Sequence, residues 1–122
     1  MKQKALLDTN FFIYAIRHKV RVVQELRENF GAEVITISSV IKELERAKER
    51  GGELGKEAGL ALQMIQKEGI KVILAEKSAD DELAKNSKEY LIATNDKALR
   101  ERIKNLGGRA IYIRKKAFIE EE

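Results

Sequence analysis

Short apolar runs alternate along this chain with segments whose apolar residues recur at helical spacing. Lys4-Ala5-Leu6-Leu7 predicts a short buried strand that ends at Asp8. Phe11 to Ile16 and Val20 to Phe30 predict two helical segments, and Val22, Val23, Leu26 and Phe30 give the second one buried face. Glu33-Val34-Ile35-Thr36-Ile37 is a β-branched strand, and Ser38-Ser39 is a natural N-cap for a helix running into Val40-Ile41-Lys42-Glu43-Leu44. Gly51-Gly52 breaks that helix. The next one places Leu54, Ala58, Ala61 or Leu62, and Ile65 on one face and closes at Gly69. Lys71-Val72-Ile73-Leu74 predicts a third strand, Ser78 the cap of a short helix opening with Ala79-Asp80-Asp81, and Tyr90 to Thr94 a fourth strand. A helix from Asp96 to Leu106 ends at Gly107-Gly108, a fifth strand covers Ala110 to Ile113, and Arg114 to Glu122 reads as a charged tail.

Strands that alternate with helices need crossover connections, so the sheet should be mainly parallel. The fold class expected is α/β: a three-layer α/β/α sandwich around a five-stranded, mainly parallel sheet. The 122 residues fit one domain over 1–122, with 114–122 as the tail, and no repeat or linker divides them.

Composition narrows the chemistry. With no cysteine and one histidine, His18, thiolate sites and disulfides are excluded, and any metal must be held mostly by oxygen. That favours Mg²⁺ or Mn²⁺ over Zn²⁺. No apolar run is long enough to span a membrane, and the basic opening has too short an apolar stretch for a signal peptide, so the cytoplasm is the expected location. Charged residues at 36%, rich in Lys, Glu and Arg, resemble thermophile usage. The net charge of +4 mildly favours a polyanionic partner.

The acids are more informative. Ligands of open α/β sheets bind beyond the carboxyl ends of the strands, and each of the first four predicted strands is followed there by an acid. Asp8 ends the first; Glu43 lies about one turn into the helix after the second; Asp80 and Asp81 open the helix after the third; Asp96 follows the fourth. Carboxylates gathered this way repel one another unless a hard cation neutralises them. One or two such ions can activate water and orient a phosphate, the chemistry of a phosphodiesterase. A plainer account competes with this one, because helix N-termini attract acids anyway. Asp81 could be only the capping-box partner of Ser78, and Asp96 only an N-cap. Glu43 is harder to explain that way, since it lies beyond N3 if Ser39 is the cap.

The same residues resemble the motifs of PIN domains. Leu6-Leu7-Asp8-Thr9-Asn10-Phe11 looks like the strand that delivers the family's first aspartate. Ser39-Val40-Ile41-Lys42-Glu43-Leu44 looks like its second motif, and Ala79-Asp80-Asp81 followed by Ile92-Ala93-Thr94-Asn95-Asp96 is similar to the third and fourth. The match runs over nearly the whole chain in the right order, through Ala110-Ile111-Tyr112-Ile113-Arg114. It is nearest to archaeal PIN proteins and to ribosomal-RNA-processing relatives. The resemblance implies a Mg²⁺- or Mn²⁺-dependent endoribonuclease with a five-stranded parallel sheet and often a homodimer; single-stranded RNA is the expected substrate, because an unpaired strand can bend a phosphodiester into a carboxylate cleft. The resemblance carries over Asp8, Glu43, Asp81 and Asp96 as metal ligands and catalytic residues, with Asp80 as the substitute for Asp81. Asp81 to Asp96 is shorter than the usual segment, so the register there is the weakest part of the match. Thr9, Asn10, Thr94 and Asn95 would hold the ligands from behind.

Other residues offer less. Lys42, Arg46, Lys97 and Arg100 are candidates to contact RNA phosphates, with a solvated helix face as the alternative. Phe11, Phe12 and Tyr14 are candidates for base stacking, although at least two of them should be core. His18 reads as a surface histidine. Phosphoaspartate enzymes share the fold type, but the haloacid-dehalogenase pattern needs an aspartate where Asn10 stands, and the receiver pattern fits no better. An RNA-binding or scaffold module that has lost its nuclease is the remaining alternative, opposed by the presence of all four acids. Within the nuclease reading, an RNA-maturation role competes with a VapC-type toxin paired with a small antitoxin.

Overall fold

The computed structural model describes residues 3–122. The elements follow in the order β1 (Gln3–Leu7), α1 (Thr9–His18), α2 (Val22–Asn29), β2 (Ala32–Ile37), α3 (Ser38–Arg50), α4 (Gly52–Lys67), β3 (Lys71–Ile73), α5 (Ala79–Lys85), β4 (Leu91–Ala93), α6 (Lys97–Asn105), β5 (Arg109–Arg114) and β6 (Phe118–Glu121). They build one sheet in the order β3-β2-β1-β4-β5-β6. β1 lies beside both β2 and β4, all in parallel, with Ala5 opposite Val34 on one side and Leu91 on the other.

That strand order explains where a site can form. The chain moves outward from β1 through β2 to β3, then returns to the far side of β1 and moves outward again. The reversal opens a crevice beyond the carboxyl ends of β1 and β4, where neighbouring connections leave in opposite directions. Asp8 and Thr94 are the first residues past those two ends. The sheet is closed tightly just beneath them: Asp8 N–H donates to Ala93 O at 2.9 Å, and the Thr36 hydroxyl to Leu7 O at 2.7 Å.

The central strands are apolar on both faces, as buried parallel strands must be. Leu6, Leu7, Ile35, Ile37, Ile92 and Ile111 are fully buried. α1 adds Phe11 and Phe12 to the core and α3 adds Val40 and Leu44. Among the described residues no helix is long and apolar enough to cross a membrane.

Four expectations need correction. The sheet has six strands, because Phe118–Glu121 pairs antiparallel with β5 and is no loose tail. Its acids meet basic residues across the ladder: Glu121 pairs with Arg109 at 2.7 Å and Glu120 with Arg114 at 2.8 Å. β3 stops at Ile73, short of the expected Leu74, because it is an edge strand, with Val72 exposed and Leu74, just past its end, 83% exposed. Ser38 and Ser39 do not cap α3; they lie in its first turn and bond instead to the loop after β3, through Ala75 N–H at 2.8 Å and Lys77 O at 3.0 Å. Leu54 leaves the buried face of α4, which is lined instead by Gly55, Ala58, Ala61 and Ile65. Gly55 permits this packing: a Cβ there would sit 3.2 Å from the Ala47 and Lys48 carbonyl oxygens of α3.

Candidate active site

A cleft of about 500 Å³ opens at the strand reversal. Four carboxylates from four separate elements line it: Asp8 after β1, Glu43 in α3, Asp80 in α5 and Asp96 before α6.

Asp8 is the most constrained. Only 3% exposed, it accepts hydrogen bonds from Thr9 N–H at 2.8 Å, the Asn10 side-chain amide at 3.0 Å and the Thr94 hydroxyl at 2.7 Å. Its carboxyl is pushed up to about 6, chiefly by burial; Thr94 and Thr9 oppose the shift, and the Asp80 and Glu43 charges add to it. Desolvation, more than repulsion among the acids, dominates here.

The neighbours form one network. The Asn10 side-chain oxygen accepts from Asn95 N–H at 2.8 Å, and Asp96 N–H donates to the Thr94 hydroxyl at 3.1 Å. Asn95 clips onto the end of β5, donating to Ile113 O at 3.1 Å and accepting from Ile113 N–H at 3.0 Å. The Thr9 hydroxyl donates to Glu43, tying the start of α1 to α3. Thus Thr9, Asn10 and Thr94 bond to the acids directly, while Asn95 holds Asn10 in place. Asp96 also caps α6, its Oδ1 accepting from Leu99 N–H at 3.2 Å. The cap and the site are therefore one residue with two tasks.

The third acid differs from the expectation. Asp80 lines the cleft, whereas Asp81 turns outward to pair with Arg102 at 2.9 Å and to accept from the Ser78 hydroxyl at 3.2 Å. The Arg102 guanidinium holds the Asp81 carboxyl below the usual range. Adjacent helical residues point about 100° apart, so the pair cannot share the cleft. The loop leading to Asp80 is itself anchored. Glu82, buried, accepts from Glu76 and Lys77 N–H at 3.2 Å each, while Ser38 and Ser39 hold the same loop from α3.

Several expected contacts fall elsewhere. Arg100 is buried, stacked 4.2 Å above the Tyr112 ring with one nitrogen 3.3 Å from Thr94 O, so it supports the site from behind and cannot reach a nucleic acid. Its Nε lies 3.4 Å from Glu122 without forming a hydrogen bond. Lys42, Arg46 and Lys97 are exposed but do not line the cleft. Phe11 and Phe12 are core; Tyr14 lines the cleft, with the His18 ring 4.4 Å away against it. Arg17, unassigned from the sequence, also lines the cleft. The signal for it was there: Asn10, Tyr14 and Arg17 lie four and then three residues apart, on one face of α1.

The donor set suits a hard divalent cation. Each of the four acids keeps at least one oxygen without a hydrogen bond, or with a free lone pair, among the described residues. Among those residues no three acids close tightly enough to cage an ion by themselves. Mg²⁺ needs no such cage, since it keeps several waters and takes only one or two carboxylates directly.

Comparison with known proteins places the chain in a family. A family profile described as a PIN like domain matches residues 5–116. Ribonuclease VapC4 of Methanocaldococcus jannaschii is 31% identical over 96% of this chain and 95% of its own. Ribonuclease VapC9 of Archaeoglobus fulgidus is 31% identical over 95% of this chain and 88% of its own. The solved PIN domain endonuclease Utp24 superposes with a TM-score of 0.79 at 26% identity, covering 99% of this chain and 92% of that one. A domain of a functionally unknown protein from Methanocaldococcus jannaschii shares the fold at a TM-score of 0.65 and 21% identity, over 92% of this chain and 91% of that one. By sequence over nearly its whole length and by fold, the chain belongs to the PIN domain family.

Proposed function

We propose that this chain is a Mg²⁺- or Mn²⁺-dependent endoribonuclease that hydrolyses single-stranded RNA at the cleft beyond β1 and β4. The observation that carries the reading is the convergence of Asp8, Glu43, Asp80 and Asp96, each from a different element, on one cleft. The names of the two VapC ribonucleases and of the endonuclease Utp24 support it.

Asp8, Glu43, Asp80 and Asp96 would hold the cation, one or two of them directly and the others through its bound waters. When bound, it would supply charge neutralisation at the phosphate and a lowered pKa for the attacking water. The chain's own residues do the rest. Asn10 and Thr94 fix the Asp8 carboxylate, and Thr9 fixes Glu43. The Thr9 and Thr94 hydroxyls are committed to carboxylates, so neither is free to attack, and water is the expected nucleophile. An unpaired strand can bend a phosphodiester into such a cleft, which a duplex resists.

The test is cleavage of a labelled single-stranded RNA by purified protein. Internal cuts with Mg²⁺ or Mn²⁺, loss of cutting in EDTA and a 5′-phosphate on the product are expected. A 2′,3′-cyclic phosphate end would overturn the mechanism, because it means attack by the RNA's own 2′-hydroxyl. Equal cutting by Asp8→Asn would overturn the site. The near full-length match to two VapC ribonucleases favours a toxin role with a small antitoxin partner over RNA maturation. Co-purification of a short protein encoded beside this chain, with inhibition of cutting, checks that preference.

A further inference from the structure

Among the described residues, the cleft has four acids along its walls and a single cation, Arg17. A polyanionic strand entering such a cleft needs positive charge close to the cut, and the exposed basic residues of α3 and α6 do not line it. Arg17 is also held in place. Its Nε and one Nη each lie 2.8 Å from a separate oxygen of Glu57 on α4, a bidentate pair that fixes the guanidinium plane. The Arg17 guanidinium keeps the Glu57 carboxyl below the usual range, so the pair stays ionised near neutrality. Of the five guanidinium N–H donors, two serve Glu57. The others have no partner among the described residues, on a side chain half exposed to solvent. Tyr14, one turn earlier on α1, lines the same wall.

We propose that Arg17, oriented by Glu57, is the phosphate anchor of the cleft and grips a backbone phosphate of the RNA next to the one that is cut. This rests on the endoribonuclease reading above. Glu57 acts as a positioning residue: it sets the plane in which Arg17 offers its remaining donors. Arg17 adds charge where the acids would otherwise repel the strand, and it sets the register of the strand against the carboxylates. Lysine at this position would keep the charge and lose the fixed fork.

The experiment measures binding of a fluorescent single-stranded RNA by anisotropy in EDTA, over a salt series, for wild type, Arg17→Ala, Arg17→Lys and Glu57→Gln. Melting temperatures and metal-dependent cleavage are recorded on the same samples. Arg17→Ala is expected to weaken binding several-fold and to reduce the slope of log affinity against log salt by about 0.7, the value for one lost phosphate contact on a single strand. Arg17→Lys should restore the slope. Glu57→Gln should keep the slope but raise KM for cleavage, because the guanidinium is no longer aimed. An Arg17→Ala protein with wild-type affinity and slope, altered only in melting temperature, would reduce the pair to a strut between α1 and α4 and overturn the proposal. If wild type cuts and binds RNA while Arg17→Ala matches it, only this inference falls. If wild type neither binds nor cuts RNA, the endoribonuclease reading falls with it.

Discussion

The two sides of the cleft are built differently. On the β1–β4 side, Asp8, Asn10, Thr94, Asn95 and Asp96 form a closed network over buried strands, with backbone and side chains bonded to one another. On the β3–α5 side, Asp80 stands in a seven-residue helix behind an edge strand, and its approach loop is held by Glu82, Ser38 and Ser39. The first side is built around two buried polar groups, Asp8 and Thr94, which must be satisfied. The second is held through its approach loop, and Asp80 itself is exposed, with no hydrogen bond to its carboxylate among the described residues. The first is therefore the fixed wall of the cleft, and the second, by comparison, the adjustable one.

Breaking the fixed wall should cost most. Asp8→Asn is expected to lower cleavage at least about 100-fold, the upper end of what removing a mere supporting partner costs a metal site. Single-turnover cleavage at saturating Mg²⁺ checks it. Thr94→Val removes a hydroxyl that serves both Asp8 and Asp96 N–H. It should cost about 1–3 kcal/mol in stability, by leaving buried partners unsatisfied, and a clear loss of cleavage. Urea unfolding and the same cleavage assay measure both.

The adjustable wall gives a smaller and more selective effect. Asp80→Asn should reduce cleavage by roughly 10-fold or more. Asp81→Asn should leave it near wild type with only a slight change in melting temperature, since an exposed ion pair contributes little. The opposite ranking would show that α5 turns in solution to present Asp81.

The last effect is electrostatic and bears on stability alone. The Asp8 carboxyl is raised from 3.8 to about 6 in the folded protein. Between those values the unfolded chain releases its proton first, so Asp8 disfavours folding increasingly as pH rises through that window, and by a constant amount above it. In chelator, the melting temperature of wild type should therefore fall relative to that of Asp8→Asn as pH rises from about 4 to about 6. The exposed pairs, whose acids are lowered, act in the opposite sense but equally in both proteins. Parallel curves for the two would remove the strain assigned to this carboxylate.

The same contrast governs what the sequence discloses. Asp8 and Asp96 follow buried apolar strands whose ends leave no freedom of register, so their place at the cleft is readable from the pattern of Leu6-Leu7-Asp8 and Ile92 to Asp96. Asp80 and Asp81 are neighbours in a short exposed helix, and what separates them is Arg102, far along the chain, which takes one of the two. No local pattern carries that information. Phe118–Glu121 reads as a tail because it is short and acidic; it becomes a strand through Arg109 and Arg114 of β5, a complementarity visible only once the ladder is known. Arg100 looks like one more solvated cation in a basic helix until Tyr112 covers it.

The most direct test of the central claim is Mn²⁺ binding, followed by the loss of the free-ion signal in electron paramagnetic resonance, for wild type, Asp8→Asn, Asp80→Asn and Asp81→Asn. The account predicts saturable binding by wild type and Asp81→Asn, and much weakened binding by Asp8→Asn and Asp80→Asn. Absence of saturable binding by wild type, or binding that survives in Asp8→Asn, would contradict it.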